Sequence, residues 1–204
     1  MKLSDKKWRP FLIGELFTRI VSTKGKTTAG LEEGEDVPYI AASRENNGYA
    51  RMCGVKEHPE WVSEGNCIVF VQLGDGAAGI AHYEPFNFIG MSGKTSCGYI
   101  DGKLNRYNGI FIAKALSANK AIYSHGHSWT GRRLLSSKVL LPATEAGEPD
   151  YQFMEDYIRE MMRKKYQSYL KFVPTVTMTT ATLPDAINVE AHPSLPPIAL
   201  LACP

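Results

Sequence analysis

Two polar segments carry side chains whose hydrogen-bonding groups match those of nucleic acids. Residues 43–48 read Ser-Arg-Glu-Asn-Asn-Gly, and the forked groups of Arg44, Asn46 and Asn47 suit guanine and adenine edges. Residues 129–133 read Trp-Thr-Gly-Arg-Arg and combine an aromatic ring, a hydroxyl and two guanidiniums at a predicted helix start, which suits phosphate. Taken alone, each segment is also compatible with an ordinary solvated turn, as is the basic turn around Gly25.

A glycine-rich segment and a histidine pair come nearest to nucleotide or metal chemistry. Residues 74–79 match GxGxxG after a strand-like run, but the next residues, 80–85, are strand-like and end at a proline. A dinucleotide site requires a helix there, so the segment predicts a glycine hairpin. His125 and His127 have no third ligand beside them, which favours loop histidines over a metal site.

Motifs of the common enzyme classes are absent from the sequence. It contains no HExxH, GxSxG or P-loop pattern, no nuclease core after Asp150, and no Asn-Pro-Pro-Tyr motif with a methyltransferase cofactor domain. The four cysteines are scattered without a zinc-finger spacing. The sequence therefore predicts no catalytic residues, no metal and no cofactor of its own.

The charge distribution and hydropathy limit the classes of partner. Net charge is only +2, yet all 23 basic residues precede Phe172, whereas Asp185 and Glu190 follow it. The part before Phe172 is therefore more basic than the whole, as a local phosphate-binding face requires. No run of 18 apolar residues and no signal peptide is present. We expect free thiols and a cytoplasmic protein without a membrane partner.

Apolar patterning predicts a β-rich domain followed by one long helix. Gly14 to Phe17 predicts a helical turn, and Ser128 or Thr130 could cap a short helix through Leu135. The remaining elements of the domain are strands rich in Val, Ile, Phe and Tyr. They are predicted at 8–13, 38–42, 67–73, 80–83, 98–100, 109–112 and 138–141.

A longer helix is predicted from Pro149-Asp150 to Phe172. Asp150 suits its N-cap, acidic residues lie early and basic residues late. An apolar stripe follows 3-4-3 spacing and is the predicted contact face for a partner helix: Tyr151, Met154, Ile158 and Met161. The predicted organisation is a domain over 1–147, this helix over 148–172, and a poorly ordered Pro/Thr-rich tail over 173–204.

Taken in order, these segments form a pattern that resembles a known family. The pattern runs through the following residues: Trp8, Phe11, 13–17, Gly25-Lys26, Pro38-Tyr-Ile40, Asn46-Asn47-Gly48, Gly65-Asn66, Gly74, Gly79, Tyr83, 104–107, Trp129-Thr130, Arg133, Leu141-Pro142 and 147–158. It resembles the target-recognition domain of restriction-modification specificity subunits of the Type I and BcgI-like kind. Gly131-Arg132 interrupts what is usually a better helix, and the tail after Phe172 is foreign to the pattern.

The resemblance implies an α+β, mixed-sheet domain that reads half of a split site in double-stranded DNA and performs no chemistry itself. Expected phosphate contacts are Lys24, Lys26, Trp129, Thr130, Arg132 and Arg133. Expected base contacts are Arg44, Asn46, Asn47 and Arg106. The implied partners are a methyltransferase subunit that carries S-adenosylmethionine and an endonuclease subunit. With room for one such domain, the chain would pair as a homodimer through the residue 150–172 helix.

Three alternatives remain open at this point. The chain could be a β-rich module for protein or carbohydrate, with its Tyr and Trp residues forming the contact surface. It could also be a truncated, non-functional fragment of a specificity subunit. The third alternative is an enzyme with unrecognised chemistry.

Overall fold

The fold described here comes from a computed structural model of the chain, which describes residues 2–74, 76–123 and 127–172. His125, Cys203 and the predicted tail over 173–204 lie outside the described residues. The chain divides between Arg163 and Lys164 into two compact units. The first contains every described strand and helix up to Arg163. Of the second, residues 164–172 are described.

An antiparallel strand pair joins the beginning and the end of the predicted domain. Strand β1 (Trp8–Leu12) pairs with β10 (Lys138–Pro142), with Trp8 opposite Pro142. Helix α1 (Ile13–Leu16) follows β1 directly and buries Ile13 and Leu16, while α3 (Gly131–Ser136) precedes β10. The predicted strands at 8–13 and 138–141, the helical turn at 14–17 and the short helix through Leu135 are thus confirmed, with end shifts of one or two residues.

The larger of the buried sheets is antiparallel throughout. Its strand order is β2 (Arg19–Ser22), β9 (Thr95–Tyr99), β6 (Cys67–Val71) and β7 (Ala81–Glu84). Every residue of β6 and β9 is buried. A continuous apolar run such as Cys-Ile-Val-Phe-Val is expected when both faces of a strand are covered.

The second sheet is mixed. Its order is β4 (Tyr49–Cys53), β3 (Val37–Ile40), β8 (Phe88–Gly90) and β5 (Val62–Ser63). Strands β3 and β8 are parallel, whereas the other two pairings are antiparallel. The predicted mixed-sheet α+β class is therefore confirmed.

Side-chain alternation along β6 joins the layers. Cys67 and Val69 pack between the sheets with Ile40 and Phe88 of the second sheet. Ile68 and Phe70 point the other way, into the main core. That core also holds Ile112, Leu116, Trp129, Leu134, Val139, Leu141, Met154 and Ile158. Strand β6 is thus the shared wall of a helical layer and a second sheet.

One prediction of secondary type is wrong: residues 109–112 are helical. They lie in α2 (Arg106–Ser117), which the Gly-Ile-Phe-Ile sequence disguised as a strand. The missed signal is Asn105, whose side chain accepts hydrogen bonds from the Tyr107 and Asn108 amides at 2.9 and 3.1 Å. Such a cap fixes a helix start.

Sequence patterning also missed β2, β4, β5 and β8. Strand β2 has only one partly buried residue, Ile20, and β4 is exposed at Tyr49 and Ala50. Edge strands of this kind lack the apolar alternation on which the prediction depends. Strand β9 begins three residues earlier than the predicted 98–100, because Thr95, Ser96 and Cys97 are buried without being strongly apolar.

The last helix, α4 (Tyr151–Leu170), begins where predicted and ends two residues early. The Phe153 amide donates to Asp150 Oδ1 at 3.0 Å, and Lys6 Nζ lies 2.7 Å from Asp150 Oδ2. Burial alone would raise the pKa of Asp150, yet the hydrogen bonds from Lys6 and Phe153 hold it below its ordinary value. The predicted N-cap is thus confirmed, and it also ties the helix to the start of the chain.

The predicted partner face of α4 is wrong for its first three residues. Met154 and Ile158 are buried in the domain's own core, and Tyr151 packs against it. Only Met161, which is 51% exposed, remains accessible. The 3-4-3 stripe is what burial against any surface produces, so spacing alone could not distinguish a partner helix from the helix's own domain.

The buried carboxyl group of Glu84 gives the fold a pH dependence. Burial raises the pKa of Glu84 from 4.5 to about 8, and the neighbouring Cys97 adds to the rise. Between those values the unfolded chain releases a proton that the folded chain retains, so the free energy of unfolding falls as pH rises through this range. We expect Glu84→Gln to remove that fall and to stabilise the protein at the alkaline end by roughly a few kcal/mol.

Urea unfolding at the two ends of this pH range measures the effect. Glu35→Gln, at an exposed side chain, is the matched control and should leave the pH slope unchanged. An unaltered slope in Glu84→Gln would show that the Glu84 carboxyl is ionised in the folded state.

Candidate nucleic-acid interface

Loops from both sheets gather at one end of the strands. Ser22 of β2 and Val71 of β6 lie beside the start of β9, and the ends of the parallel strands β3 and β8 lie together. The loops that follow these strand ends share this side of the domain. We call them, with the segment before α3, the loop end: residues 23–26, 41–48, 72–74, 76–80, 91–94 and 129–133.

Backbone hydrogen bonds hold these loops to one another. The Gly25 amide donates to Gly90 O at 3.0 Å, and the Met91 amide donates to Ile40 O at 3.3 Å, so the sheets are joined here. The Gln72 amide donates to Lys94 O at 2.8 Å, and Gln72 O accepts from the Trp129 amide at 3.1 Å. The segment before α3 is thereby fixed to the hairpins although it is distant in sequence.

The loop over 41–48 has a defined, left-handed conformation. Asn46, Asn47 and Gly48 have φ values of 49°, 52° and 80° in succession, a region that asparagine and glycine tolerate best. A Cβ on Gly48 would lie 2.8 Å from Ala41 O, so only glycine fits. Arg44, Asn46 and Asn47 are exposed. The predicted base-reading side chains are therefore carried on a preorganised turn.

Basic side chains dominate the loop end. Among its described residues, six are basic and exposed, and Glu45 alone is acidic. The predicted phosphate contacts Lys24, Lys26, Arg132 and Arg133 are four of the six, with Arg44 and Lys94. Lys94 was missed because its turn, Ser-Gly-Lys, is unremarkable in sequence; its position becomes visible only when β8 and β9 are paired.

Three of these side chains have partners within the domain. Lys26 Nζ lies 5.4 Å from the centroid of the Trp61 ring, Arg133 donates to Ser128 O at 2.7 Å, and Arg44 Nε lies 4.0 Å from Glu45. These exposed contacts are weak in water. They orient the cations and leave their charge available to a phosphate.

Trp129 does not belong among the DNA contacts. Its side chain is 1% exposed, stacks on Tyr123 with centroids 5.0 Å apart and meets the edge of Phe70 at 5.2 Å. Its indole Nε1 donates to Ser137 Oγ at 3.2 Å. An aromatic residue beside basic ones suggested a surface contact, whereas burial of the large ring in the core determines its position. Thr130 is half-buried, with its hydroxyl 3.2 Å from Ser128 Oγ.

Arg106 lies at the opposite end of the strands. It opens α2 directly after Asn105, whose Nδ2 donates to Glu155 of α4 at 2.6 Å. Asn66, just before β6, donates to Leu104 O at 3.2 Å and accepts from Tyr83, which locates this corner at the start of β6. Arg106 is exposed but is not brought together with Arg44, Asn46 and Asn47.

The described residues contain no group of three metal-ligating side chains, and Cys53, Cys67 and Cys97 are free thiols. The predicted glycine hairpin is confirmed, because 76–79 form the turn between β6 and β7. A cavity of about 170 Å³ lies between β2 and β5. Its guanidinium, Arg19, is already paired with Glu64 and lies 3.6 Å from the centroid of the Tyr99 ring. None of the described helices has the length and hydropathy needed to span a membrane.

Comparison with known proteins was made for sequence and for fold. The model of the family described as "Type I restriction modification DNA specificity domain" matches residues 5–168. A curated relative, the Type II restriction enzyme BgcI specificity subunit S.BcgI from Heyndrickxia coagulans, is 26% identical over 162 residues. The match covers 79% of this chain and 46% of the relative.

Solved structures share the fold at low sequence identity. The S subunit of a Type-I restriction-modification system from M. genitalium is 16% identical with a TM-score of 0.53, over 83% of this chain and 42% of that one. The HsdS subunit from Thermoanaerobacter tengcongensis is 12% identical with a TM-score of 0.53, over 82% and 40%. The chain thus spans less than half the length of each of these relatives.

The two aromatic predictions about Trp129 can be separated by mutation. We expect Trp129→Ala to lower the free energy of unfolding by about 3–5 kcal/mol, because it removes a buried ring from the core. Any loss of DNA affinity should then be recovered once the measurement is made well below the melting temperature. Normal stability with lost affinity would return Trp129 to the interface.

Proposed function

The chain belongs to the family of Type I restriction modification DNA specificity domains, and on that premise we propose that it is the DNA-reading half-subunit of a restriction-modification complex. In this function it binds double-stranded DNA through the loop end and directs the activity of partner subunits to a bipartite site. It performs no chemistry itself.

One observation carries this proposal: exposed base-reading and phosphate-binding side chains converge on the loop end from segments far apart in sequence. Arg44, Asn46 and Asn47 occupy a rigid turn, flanked by Lys24 and Lys94. Six exposed cations against one carboxylate among the described residues of these loops give the positive potential that DNA attracts. A carbohydrate or protein ligand would not require this charge balance.

The two kinds of side chain have different roles in this mechanism. Lysines and Arg132 and Arg133 bind phosphate oxygens and fix the register of the domain on the duplex, without sequence preference. Arg44, Asn46 and Asn47 reach base edges in the major groove, where guanine and adenine present distinct acceptor and donor pairs. Arg106 is too far from this surface and is dropped from the base contacts.

Partner subunits supply the chemistry in this scheme. A methyltransferase subunit carries S-adenosylmethionine, an endonuclease subunit cleaves, and the assembly works in the cytoplasm. The relatives support this assignment through their names, since one similar solved structure is titled for "complex assembly" of the type I R-M system. The domain over residues 1–147 reads DNA, and the helix over 148–172 joins the domain to other subunits.

We further propose a homodimer through the exposed part of α4. Met161 is 51% exposed, and the same helix continues with exposed apolar side chains at Tyr166, Tyr169 and Leu170. A chain that spans less than half of its relatives would reach their length as a pair. Two-fold symmetry would then make the recognised sequence palindromic.

The salt dependence of DNA affinity tests the central proposal. Affinity of the full-length chain for a pool of random-sequence duplexes should fall steeply as salt increases, because each bound phosphate releases a counterion. Lys94→Ala should reduce the slope of log affinity against log salt by about 1. Absent or salt-insensitive binding would exclude DNA as the ligand.

Arg44 and Arg106 form a matched pair for the recognition step. Both are exposed arginines, but only Arg44 lies at the loop end. Arg44→Ala should weaken binding to the preferred duplex by about 1–3 kcal/mol and relax selectivity at one position, whereas Arg106→Ala should leave both unchanged. Selection from a random duplex pool measures this, and equal losses in the two variants would argue against the assigned face.

Met161 and Ile158 form the matched pair for the dimer. Met161→Glu should shift the protein toward monomer without loss of stability, because an exposed charge opposes apolar pairing. Ile158→Ala should instead cost about 2–5 kcal/mol of folding free energy and leave association intact at low temperature. Sedimentation and urea unfolding read the two properties, and a Met161→Glu protein that remains dimeric would place the interface elsewhere.

A further inference from the structure

His82 is a buried ring below the loop over 41–48. It lies on β7 opposite Val69 of β6, and side chains directly opposite on paired strands share one face. Val69 packs between the two sheets with Ile40, so His82 also faces the second sheet. Its side chain is 4% exposed. A histidine so buried requires a polar partner.

That partner is the backbone at the start of the loop. His82 Nε2 lies 2.9 Å from Ser43 O. A carbonyl oxygen can only accept, so Nε2 carries the hydrogen and the ring is held in a single tautomer. Burial lowers the pKa of His82, and the bond to Ser43 opposes that change without reversing it. The ring is therefore neutral and donates at neutral pH.

The same ring also lies below the end of the loop. His82 Cδ2 is 3.6 Å from the position that a Cβ on Gly48 would occupy. Around it, the Ala41 amide donates to Gly48 O at 2.8 Å, and Ser43 Oγ accepts from the Glu45 amide at 3.1 Å. His82 thus contacts both ends of a turn whose middle carries Arg44, Asn46 and Asn47.

We propose that His82 is a positioning residue for sequence recognition, which holds the base-reading turn at the height and angle required by the groove without contacting DNA. This inference rests on the proposed function. Base readout depends on bidentate geometry, and a small displacement of the side chain breaks it. Phosphate contacts from Lys24, Lys94 and Arg132 come from other segments and do not depend on the ring.

His82→Phe and His82→Gln separate the hydrogen bond from the packing. Phenylalanine keeps a ring against Gly48 but cannot donate to Ser43, whereas the amide of glutamine restores a donor near Nε2. We expect His82→Phe to reduce the preference for a selected duplex over random-sequence duplex by about tenfold, with the salt slope unchanged, and His82→Gln to retain most of the preference.

Tyr83→Phe is the control on the same strand. It removes one hydrogen bond, from Tyr83 Oη to Asn66 Oδ1 at 2.9 Å, at the other end of the sheet. It should leave the preference for the selected duplex unchanged. Equal losses of selected and random binding in His82→Phe, or no better retention in His82→Gln, would overturn the positioning role.

Hydrogen exchange in the absence of DNA keeps this test distinct from that of the proposed function. The Ala41 and Glu45 amides should exchange faster in His82→Phe than in the wild type and Tyr83→Phe. Faster exchange with unchanged preference would mean that the turn is anchored but does not read bases. Wild-type protein with no preference for any duplex would instead refute the proposed function, while the exchange still tests the anchor. Should His82→Phe not fold, Gly48→Ala provides the same comparison from the other end of the turn.

Discussion

The burial of β6 on both faces is the constraint on which the rest of the domain depends. One face of Cys67–Val71 packs into the helical core, and the other packs against the second sheet. A strand covered on both sides cannot slip by one residue without exchanging its two apolar sets. Its register therefore fixes β7 and β9 beside it, and with them the hairpins that emerge at the loop end. DNA-facing side chains on short loops derive their position from this buried strand.

The link between the two sheets is polar and lies at the loop end itself. Backbone bonds from Gly25 to Gly90 and from Met91 to Ile40 join strands that belong to different sheets. Buried or shared backbone groups must be paired, and here the pairing also sets the distance between Lys24 and the turn that carries Arg44. A recognition surface assembled from loops gains rigidity in this way, because each loop is bonded to a neighbour as well as to its own strands.

Sequence reasoning located what local chemistry determines and missed what only tertiary packing determines. The apolar run of β6, the Asp150 cap and the Asn-Asn-Gly turn each have a local physical cause, and each was predicted. Helix α2 was mistaken for a strand because Ile-Phe-Ile dominates its middle, although the Asn105 cap was readable. The burial of Trp129 and the remote location of Arg106 could not be predicted, because both depend on which strands pair. His82 has no local signal: its importance arises only when β7 lies beneath the 41–48 turn.

The core that supports the loops is also the core in which α4 begins. Phe70 and Trp129, just below the loop end, belong to the same cluster as Met154 and Ile158, and Lys6 binds the capping Asp150. Close-packed interiors resist gradual deformation, so the first turns of α4 cannot rotate without repacking the residues below the recognition loops. The apolar stripe that looked like a partner face therefore has a different role. It makes the helix a rigid extension of the DNA-reading domain, so that orientation set by DNA at the loops is carried to the point where the helix leaves the core near Met161.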